Sequence, residues 1–188
     1  MTREEAWNLV CEHTPSESLR RHMLAVETCM RWYAAKLGED EDTWGLTGLL
    51  HDFDYEQHPD EHPLWGMALL EQKGADPAIV KAIASHYAEK TGVDPESLME
   101  RHLFACDELT GFITAVTYVR PSKDIADVEV KSVKKKLKEA SFAAGVKRED
   151  VTKGAEMIGL DLDDHVANML EAMRAQAASL GLAGARSG

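Results

Sequence analysis

Long apolar runs and a disulfide framework are both missing from this sequence of 188 residues. No apolar stretch approaches the ~20 residues that a membrane-spanning helix needs. The first ten residues carry Glu4, Glu5 and Trp7 instead of a basic segment followed by an apolar run, so we expect no signal peptide. The three cysteines are widely spaced and form no CxxC pair, which argues against disulfides and against a cysteine zinc site. We therefore expect a cytoplasmic protein without a membrane partner.

Positive charge is also scarce. The chain has 21 Lys and Arg against 33 Asp and Glu, and its net charge is −12. Such an acidic surface repels a phosphate backbone, so we expect no nucleic-acid partner. A nucleotide substrate would be repelled as well unless a metal or a local basic cluster reversed the field. The one basic cluster runs from Lys131 to Lys138, and we interpret it as a solvated helix face.

Signals for strands, hairpins and internal repeats are missing too, whereas helical periodicity is strong. Thr14-Pro15-Ser16-Glu17 has the composition of a helix start, with Thr14 as the N-cap. Helices are predicted over 19–37, 41–51, 64–72, 78–90, from about 96 to 119, 131–144, 151–158 and 162–180. The glycine-rich tail 181–188 is expected to fray. The prediction is a single all-α domain of six to nine helices, with a core over about 15–120 and a helical extension over about 121–180.

Several polar side chains fall at positions that should be buried. His22 lies at the edge of an apolar helical stripe, and His51-Asp52 ends an apolar helix. Asp107 lies within Leu103-Phe104-Ala105-Cys106-Asp107-Glu108-Leu109, where an unpaired carboxylate would be costly. Imidazole and carboxylate are suitable ligands for divalent transition metals, so one bound ion would give each of these groups a partner.

These residues resemble the H…HD…D signature of the HD superfamily of metal-dependent phosphohydrolases. Gly48-Leu49-Leu50-His51-Asp52 looks like the xLLHD segment of that family, and the resemblance covers about residues 15–120. It implies an HD-domain helical bundle whose metal is held by His22, His51, Asp52 and Asp107, with His51 and Asp52 at the catalytic centre. The C-terminal part is similar to a group of predicted HD hydrolases.

A second metal is implied by the same resemblance. His62-Pro63-Leu64-Trp65-Gly66 resembles the H-x-x-x-G element of HD proteins with two metals, and His86 occupies the place of the next histidine. Asp52 would then bridge two ions. The polar stretch 53–63, which contains two prolines, is predicted to be a loop, and His58 in this loop is an alternative ligand to His62. The spacing to Gly66 favours His62. The pattern is similar to the bacterial diadenosine-tetraphosphate hydrolase branch. It differs from cyclic-dinucleotide phosphodiesterases, because Ser85-His86 stands where those proteins have two adjacent histidines. We therefore do not expect a cyclic dinucleotide as the substrate.

Other polar residues have weaker indications. Asp54 and Glu56 are interpreted as solvated loop residues, the alternative being a general acid or a partner of a histidine. Arg120 and Lys123 are predicted to contact a substrate phosphate. The remaining histidines are predicted to lie on the surface: His13, His102 and His165.

The function expected from the resemblance is hydrolysis of a phosphomonoester or a phosphoanhydride, with nucleotides among the candidates, by metal-activated water. The cofactor would be one or two divalent ions of Mn, Fe, Co, Ni or Zn, and the partner a small phosphorylated substrate. Three alternatives stay open: a di-iron oxygenase of the HD type, a nucleotide-binding HD module without catalysis, and a helical adaptor.

Overall fold

The computed structural model describes residues 1–184, and this part of the chain is helical with turns and a single isolated bridge between Asp124 and Ala183. The predicted all-α class is confirmed. No helix within the described range is long and apolar enough to cross a membrane. The chain divides into two compact units, Met1–Phe104 and Ala105–Gly188.

The first unit contains six helices and the start of a seventh. They are α1 (Arg3–His13), α2 (Glu17–Leu37), α3 (Glu41–Leu50), α4 (Leu64–Gln72), α5 (Pro77–His86), α6 (Ala88–Thr91) and α7 (Leu98–Tyr118). Helices α2 and α3 pack against each other, and α3 also contacts α1 and α5. Residues 51–63 form turns apart from His58, and this segment includes the loop predicted over 53–63.

The second unit contains the rest of α7 and four further elements. They are the 3-10 helix η1 (Ile125–Asp127), α8 (Val130–Leu137), α9 (Arg148–Met157) and α10 (Leu162–Ala175). Helix α10 packs against the other three of these elements. The tail does not fray over 181–184, because Leu182 is buried and its carbonyl accepts a hydrogen bond from the Ile125 N–H at 2.9 Å. The rest of the predicted frayed tail, 185–188, lies outside the described residues.

Ten α-helices form in the described residues, close to the roughly six to nine that were predicted. Helix α1 was not predicted, although Thr2 and Glu5 form a capping box at its start. The helix predicted over 78–90 is interrupted at Tyr87, which separates α5 from α6. The predicted N-cap Thr14 was also wrong. Ser16 caps α2, whereas the Thr14 hydroxyl is buried and donates to the Phe53 carbonyl at 2.9 Å.

Two glycines allow α3 to approach α2 closely. A Cβ on Gly48 would lie 2.9 Å from backbone atoms of Glu27, and a Cβ on Gly45 would overlap the Arg31 side chain. Backbone cannot move aside as a flexible side chain can, so Gly48 sets the spacing of the two helices. This spacing matters for function because His22 lies on α2 and His51 directly follows α3.

An ion pair between a half-exposed arginine and a buried glutamate links α1 to α2. The Glu27 carboxylate is buried and accepts two hydrogen bonds from the Arg3 guanidinium, at 2.6 and 2.8 Å. Arg31 donates a third at 3.0 Å. Three charge-assisted hydrogen bonds compensate for the desolvation of a single carboxylate that would be costly alone.

Two of the histidines predicted for the surface are buried. His102 lies between the rings of Tyr33 and Trp44, with ring centroids 4.9 and 5.1 Å away, and its Nδ1–H donates to the Leu98 carbonyl at 2.7 Å. His165 is buried and its Nε2–H donates to the Ala105 carbonyl at 2.9 Å. Both predictions were wrong because packing against residues distant in sequence, which helical periodicity does not report, buries these rings.

Replacing Gly48 by alanine should destabilise the protein. The added methyl group would clash with the α2 backbone, and overpacking of this kind costs about 1–3 kcal/mol, more than the higher helix propensity of alanine returns. Urea unfolding followed by circular dichroism measures the change. Gly145→Ala is the control, because a Cβ there meets open space. Equal stability of Gly48→Ala and wild type would contradict the close approach.

Burial of His102 predicts a dependence of stability on pH. Burial lowers the pKa of His102, and the hydrogen bond to Leu98 offsets this only in part. The unfolded chain therefore binds the proton more readily, so the free energy of unfolding should fall as the pH drops below about 6.5, the ordinary pKa of histidine. His102→Phe should weaken this fall relative to wild type in urea unfolding between pH 5 and 8. Parallel curves for the two proteins would show that His102 does not contribute.

Candidate metal centre

The site is built where helices end. His51 is the C-cap residue of α3, and Asp52 begins the consecutive turns that follow it. His86 is the last residue of α5, next to the interruption at Tyr87. At a helix end the backbone leaves its regular path, so adjacent side chains such as His51 and Asp52 can turn toward one point.

Four histidines surround the Asp52 carboxylate. The Nε2 atoms of His22 and His51 lie 3.8 and 3.4 Å from Oδ2, and those of His62 and His86 lie 3.4 and 3.5 Å from Oδ1. The ligand atoms of His22, His51 and Asp52 all lie within 4.8 Å of one another, and so do those of Asp52, His62 and His86. Each carboxylate oxygen therefore faces its own pair of imidazoles.

Hydrogen bonds at Nδ1 orient three of these rings. The partner of each Nδ1 is an oxygen that carries no hydrogen and so cannot donate. These partners are the Gly48 carbonyl for His51 at 2.7 Å, the Ile83 carbonyl for His86 at 2.5 Å, and the Asp54 carboxylate for His62 at 2.7 Å. Each Nδ1 must therefore carry the hydrogen, and a neutral ring then presents the Nε2 lone pair to Asp52. Lone pairs facing carboxylate oxygens repel each other unless a cation lies between them, so the donor set fits a metal ion.

Asp52 is held in its ionised form. Burial raises the pKa of its carboxyl, but when no cation is bound and the Nε2 atoms of His51 and His86 carry protons, the charge of His51 and the hydrogen bonds from both rings outweigh burial and hold the pKa well below its usual range. An ionised carboxylate with two separately directed oxygens is suited to bridging two cations.

Asp54 is not a solvated loop residue, and that interpretation was wrong. Its side chain is only 2% exposed, and its two oxygens accept hydrogen bonds from the His62 Nδ1–H at 2.7 Å and from the Gly66 N–H at 2.8 Å. A Cβ on Gly66 would lie 2.8 Å from the Asp54 carboxyl carbon. The spacing from His62 to Gly66 thus has a local cause: the first turn of α4 must leave room for the carboxylate that orients His62.

Glu56 and His58 take other roles in the same loop. The Glu56 carboxylate is exposed and accepts from the Ser16 N–H at 2.9 Å, beside the start of α2. His58 stacks on Trp65, with ring centroids 3.8 Å apart and planes at 12°, and His62 is the histidine that faces Asp52. His13 is half-buried and contacts the Phe53 ring edge-on.

Asp107 lies on α7, in the second unit, and is half-buried. Its role as a ligand stays a prediction from the family pattern. Sequence reasoning did not single out its neighbour Glu108. Burial raises the pKa of Glu108 to about 7, with the Asp107 carboxylate adding to the effect. Its position beside a predicted ligand was the signal available in the sequence.

The predicted phosphate-binding residues also lie in the second unit. The Arg120 guanidinium donates to the Asp127 carbonyl at 2.6 Å, and Lys123 lies in the exposed turn after α7 with a φ of +51°. Their contact with substrate stays a prediction. The lysine cluster of α8 engages nearby acids, with Lys134 paired to Asp163 at 2.6 Å and Lys136 paired to Glu139 at 2.6 Å.

Comparison with known proteins identifies the region that carries these residues. Residues 19–111 match the family model described as HD domain. The matched region includes all six predicted metal ligands: His22, His51, Asp52, His62, His86 and Asp107. No curated protein matches the chain.

Replacing Asp54 by asparagine should weaken metal binding. The neutral amide can still fill the space but no longer offers a negative charge to the His62 Nδ1–H, and loss of such a partner typically lowers metal affinity by 10–100-fold. Titration with Co²⁺ or Mn²⁺, followed by calorimetry, measures the affinity. Asp60→Asn, an exposed acid of the same loop, is the control. Wild-type affinity in Asp54→Asn would show that Asp54 only supports the fold.

Proposed function

We propose that the chain hydrolyses a phosphomonoester or a phosphoanhydride with one or two divalent transition-metal ions. The match of residues 19–111 to the HD domain, a family of metal-dependent hydrolases, supports this proposal. The observation that carries the proposal is the Asp52 carboxylate, with each oxygen facing two imidazole nitrogens at 3.4–3.8 Å.

The donor set supports this choice of cofactor. Imidazole nitrogen and carboxylate oxygen together suit Mn, Fe, Co, Ni and Zn in their divalent states. We propose that His22, His51, Asp52 and Asp107 hold one ion. Asp52, His62 and His86 would hold a second, because Oδ1 and Oδ2 of Asp52 point to separate histidine pairs.

The metal ions and the protein would make different contributions to phosphate hydrolysis. Bound divalent ions lower the pKa of a coordinated water and stabilise charge on phosphoryl oxygens. The protein keeps Asp52 ionised and orients His51, His62 and His86 through their Nδ1 hydrogen bonds, so that the ligands need little reorganisation when the substrate binds. We propose that Arg120 and Lys123 add positive charge at the substrate phosphate.

A di-iron oxygenase is the second candidate. The same nitrogen-rich set around a bridging carboxylate would also hold two iron ions, and such sites can activate O₂. Iron content after anaerobic reconstitution, together with O₂ consumption, distinguishes the oxygenase from the hydrolase.

Asp52→Ala should abolish phosphate release. The test is a panel of nucleotides, dinucleoside polyphosphates and sugar phosphates with Mn²⁺, Co²⁺, Ni²⁺, Mg²⁺ and anaerobic Fe²⁺. Loss of a ligand that serves both ions should lower the rate at least about a thousandfold, since metal ions contribute several kcal/mol to the stabilisation of the transition state.

Asp60→Ala is the matched control, and circular dichroism shows whether each variant folds. Phosphate release by Asp52→Ala at the wild-type rate would contradict a site at Asp52. Absence of phosphate release by the wild type with every metal, together with O₂ consumption by the iron form, would favour the oxygenase instead.

A further inference from the structure

We infer that a cavity beside His22 binds the uncharged, ring-bearing leaving group of the substrate, so that the preferred substrate is a phosphomonoester with a single phosphate rather than a di- or polyphosphate. This inference rests on the proposed hydrolase function and specifies its substrate class.

The cavity is an open depression within the first unit and has a volume of about 520 Å³. This falls in the range of about 300–1,000 Å³ that is usual for pockets binding small molecules. Its lining residues include the apolar Leu19 and Pro59, the aromatic Tyr55 and the polar Ser18. A hydroxyl-bearing ring compound would therefore meet both apolar and polar partners there.

The cavity adjoins the metal centre directly. His22 forms part of its wall, and the Nε2 of His22 lies 3.8 Å from the Asp52 carboxylate. Tyr55, also in the wall, contacts the His62 ring edge-on, with centroids 5.3 Å apart. A phosphate held at the metal ligands would consequently have its ester substituent at the mouth of this cavity.

Tyr55 is the residue best placed to bind a ring. Its side chain is about half exposed although the residue belongs to the same run of turns as the ligands, and its N–H donates to the Asp52 carbonyl at 3.0 Å. The backbone is thus fixed while the aromatic surface stays accessible. Stacking on an exposed ring tolerates different bases and aryl groups, because each of them has a π face.

The charges around the cavity oppose additional phosphates. Its lining residues include the acidic Glu56 and no lysine or arginine. Of the two arginines near His22 in sequence, Arg20 donates to the Thr14 and Cys11 carbonyls and Arg21 pairs with Glu17. A second or third phosphate in the cavity would meet a carboxylate without a compensating cation.

The whole first unit has the same bias. Residues 1–104 include nine Lys and Arg against twenty Asp and Glu, so the unit carries a net charge of −11 of the −12 of the chain. Bound metal ions reverse this field locally. One phosphate at the ions is then favoured, and each phosphate beyond their reach is repelled.

Substrate preference is the first test. The Mn²⁺-loaded full chain is assayed with adenosine 5′-monophosphate, phenyl phosphate, adenosine 5′-diphosphate, adenosine 5′-triphosphate and inorganic pyrophosphate. We expect kcat/KM for at least one of the two monoesters to exceed that for every di- or triphosphate about tenfold or more. Turnover of phenyl phosphate alone would identify an aryl leaving group, and turnover of the nucleotide a nucleoside. A preference for the triphosphate or pyrophosphate would overturn the inference.

Variants of the cavity are the second test. Tyr55→Ala should raise KM for the preferred monoester about tenfold, and Tyr55→Phe should retain the wild-type KM. Glu56→Gln should shift the preference toward the diphosphate at least about threefold. Glu61→Gln, an exposed acid of the same loop that does not line the cavity, is the control. Unchanged KM in Tyr55→Ala would overturn the inference.

A binding measurement separates this inference from the proposed function. Calorimetric titration of the Mn²⁺-loaded wild type and Tyr55→Ala with adenosine 5′-monophosphate and phenyl phosphate does not require turnover. Weaker binding to Tyr55→Ala without any phosphate release would retain the cavity site while the hydrolase function fails. Equal binding to both proteins, or no binding to either, would overturn the cavity site even if other phosphates are hydrolysed.

Discussion

The mutual arrangement of one carboxylate and four imidazoles is the constraint on which the first unit depends. Asp52 is reached by side chains from α2, from the end of α3, from the turns after it and from the end of α5. Such a concentration of lone pairs is unfavourable without a cation, and the fold maintains it by fixing the opposite edge of the rings. The Nδ1 hydrogen bonds of His51, His62 and His86 therefore link the helical scaffold to the chemistry.

Two glycines show how backbone geometry serves this arrangement. Gly48 lets α3 approach the α2 backbone and also supplies the carbonyl that orients His51. Gly66 leaves room for the Asp54 carboxylate and supplies the N–H that binds it. In both cases a missing side chain provides space and the backbone at the same residue provides a hydrogen bond. Packing and ligand orientation are thus not independent in this protein.

Prediction from the sequence succeeded for features that a local sequence pattern determines. Helical periodicity gave the all-α class and the bounds of α4, and the His51-Asp52 pair at a helix end pointed to the family. Asp54 was misjudged because a polar loop residue has no periodicity that reports its burial. His102 and His165 were misjudged for a related reason: their partners lie far away in sequence. The substrate contacts of Arg120 and Lys123 and the metal-ligand role of Asp107 remain predictions from the sequence. All three residues belong to the second unit.

The distribution of charge gives the metal ions a further role. Residues 105–188 include twelve Lys and Arg against thirteen Asp and Glu, so nearly all of the net negative charge belongs to the unit that contains Asp52. A cation is attracted to this unit from a distance, whereas a phosphorylated substrate is repelled. The metal must therefore bind before the substrate has a favourable site. The acidity that argues against nucleic-acid binding is, on this reasoning, what makes the site dependent on its ions.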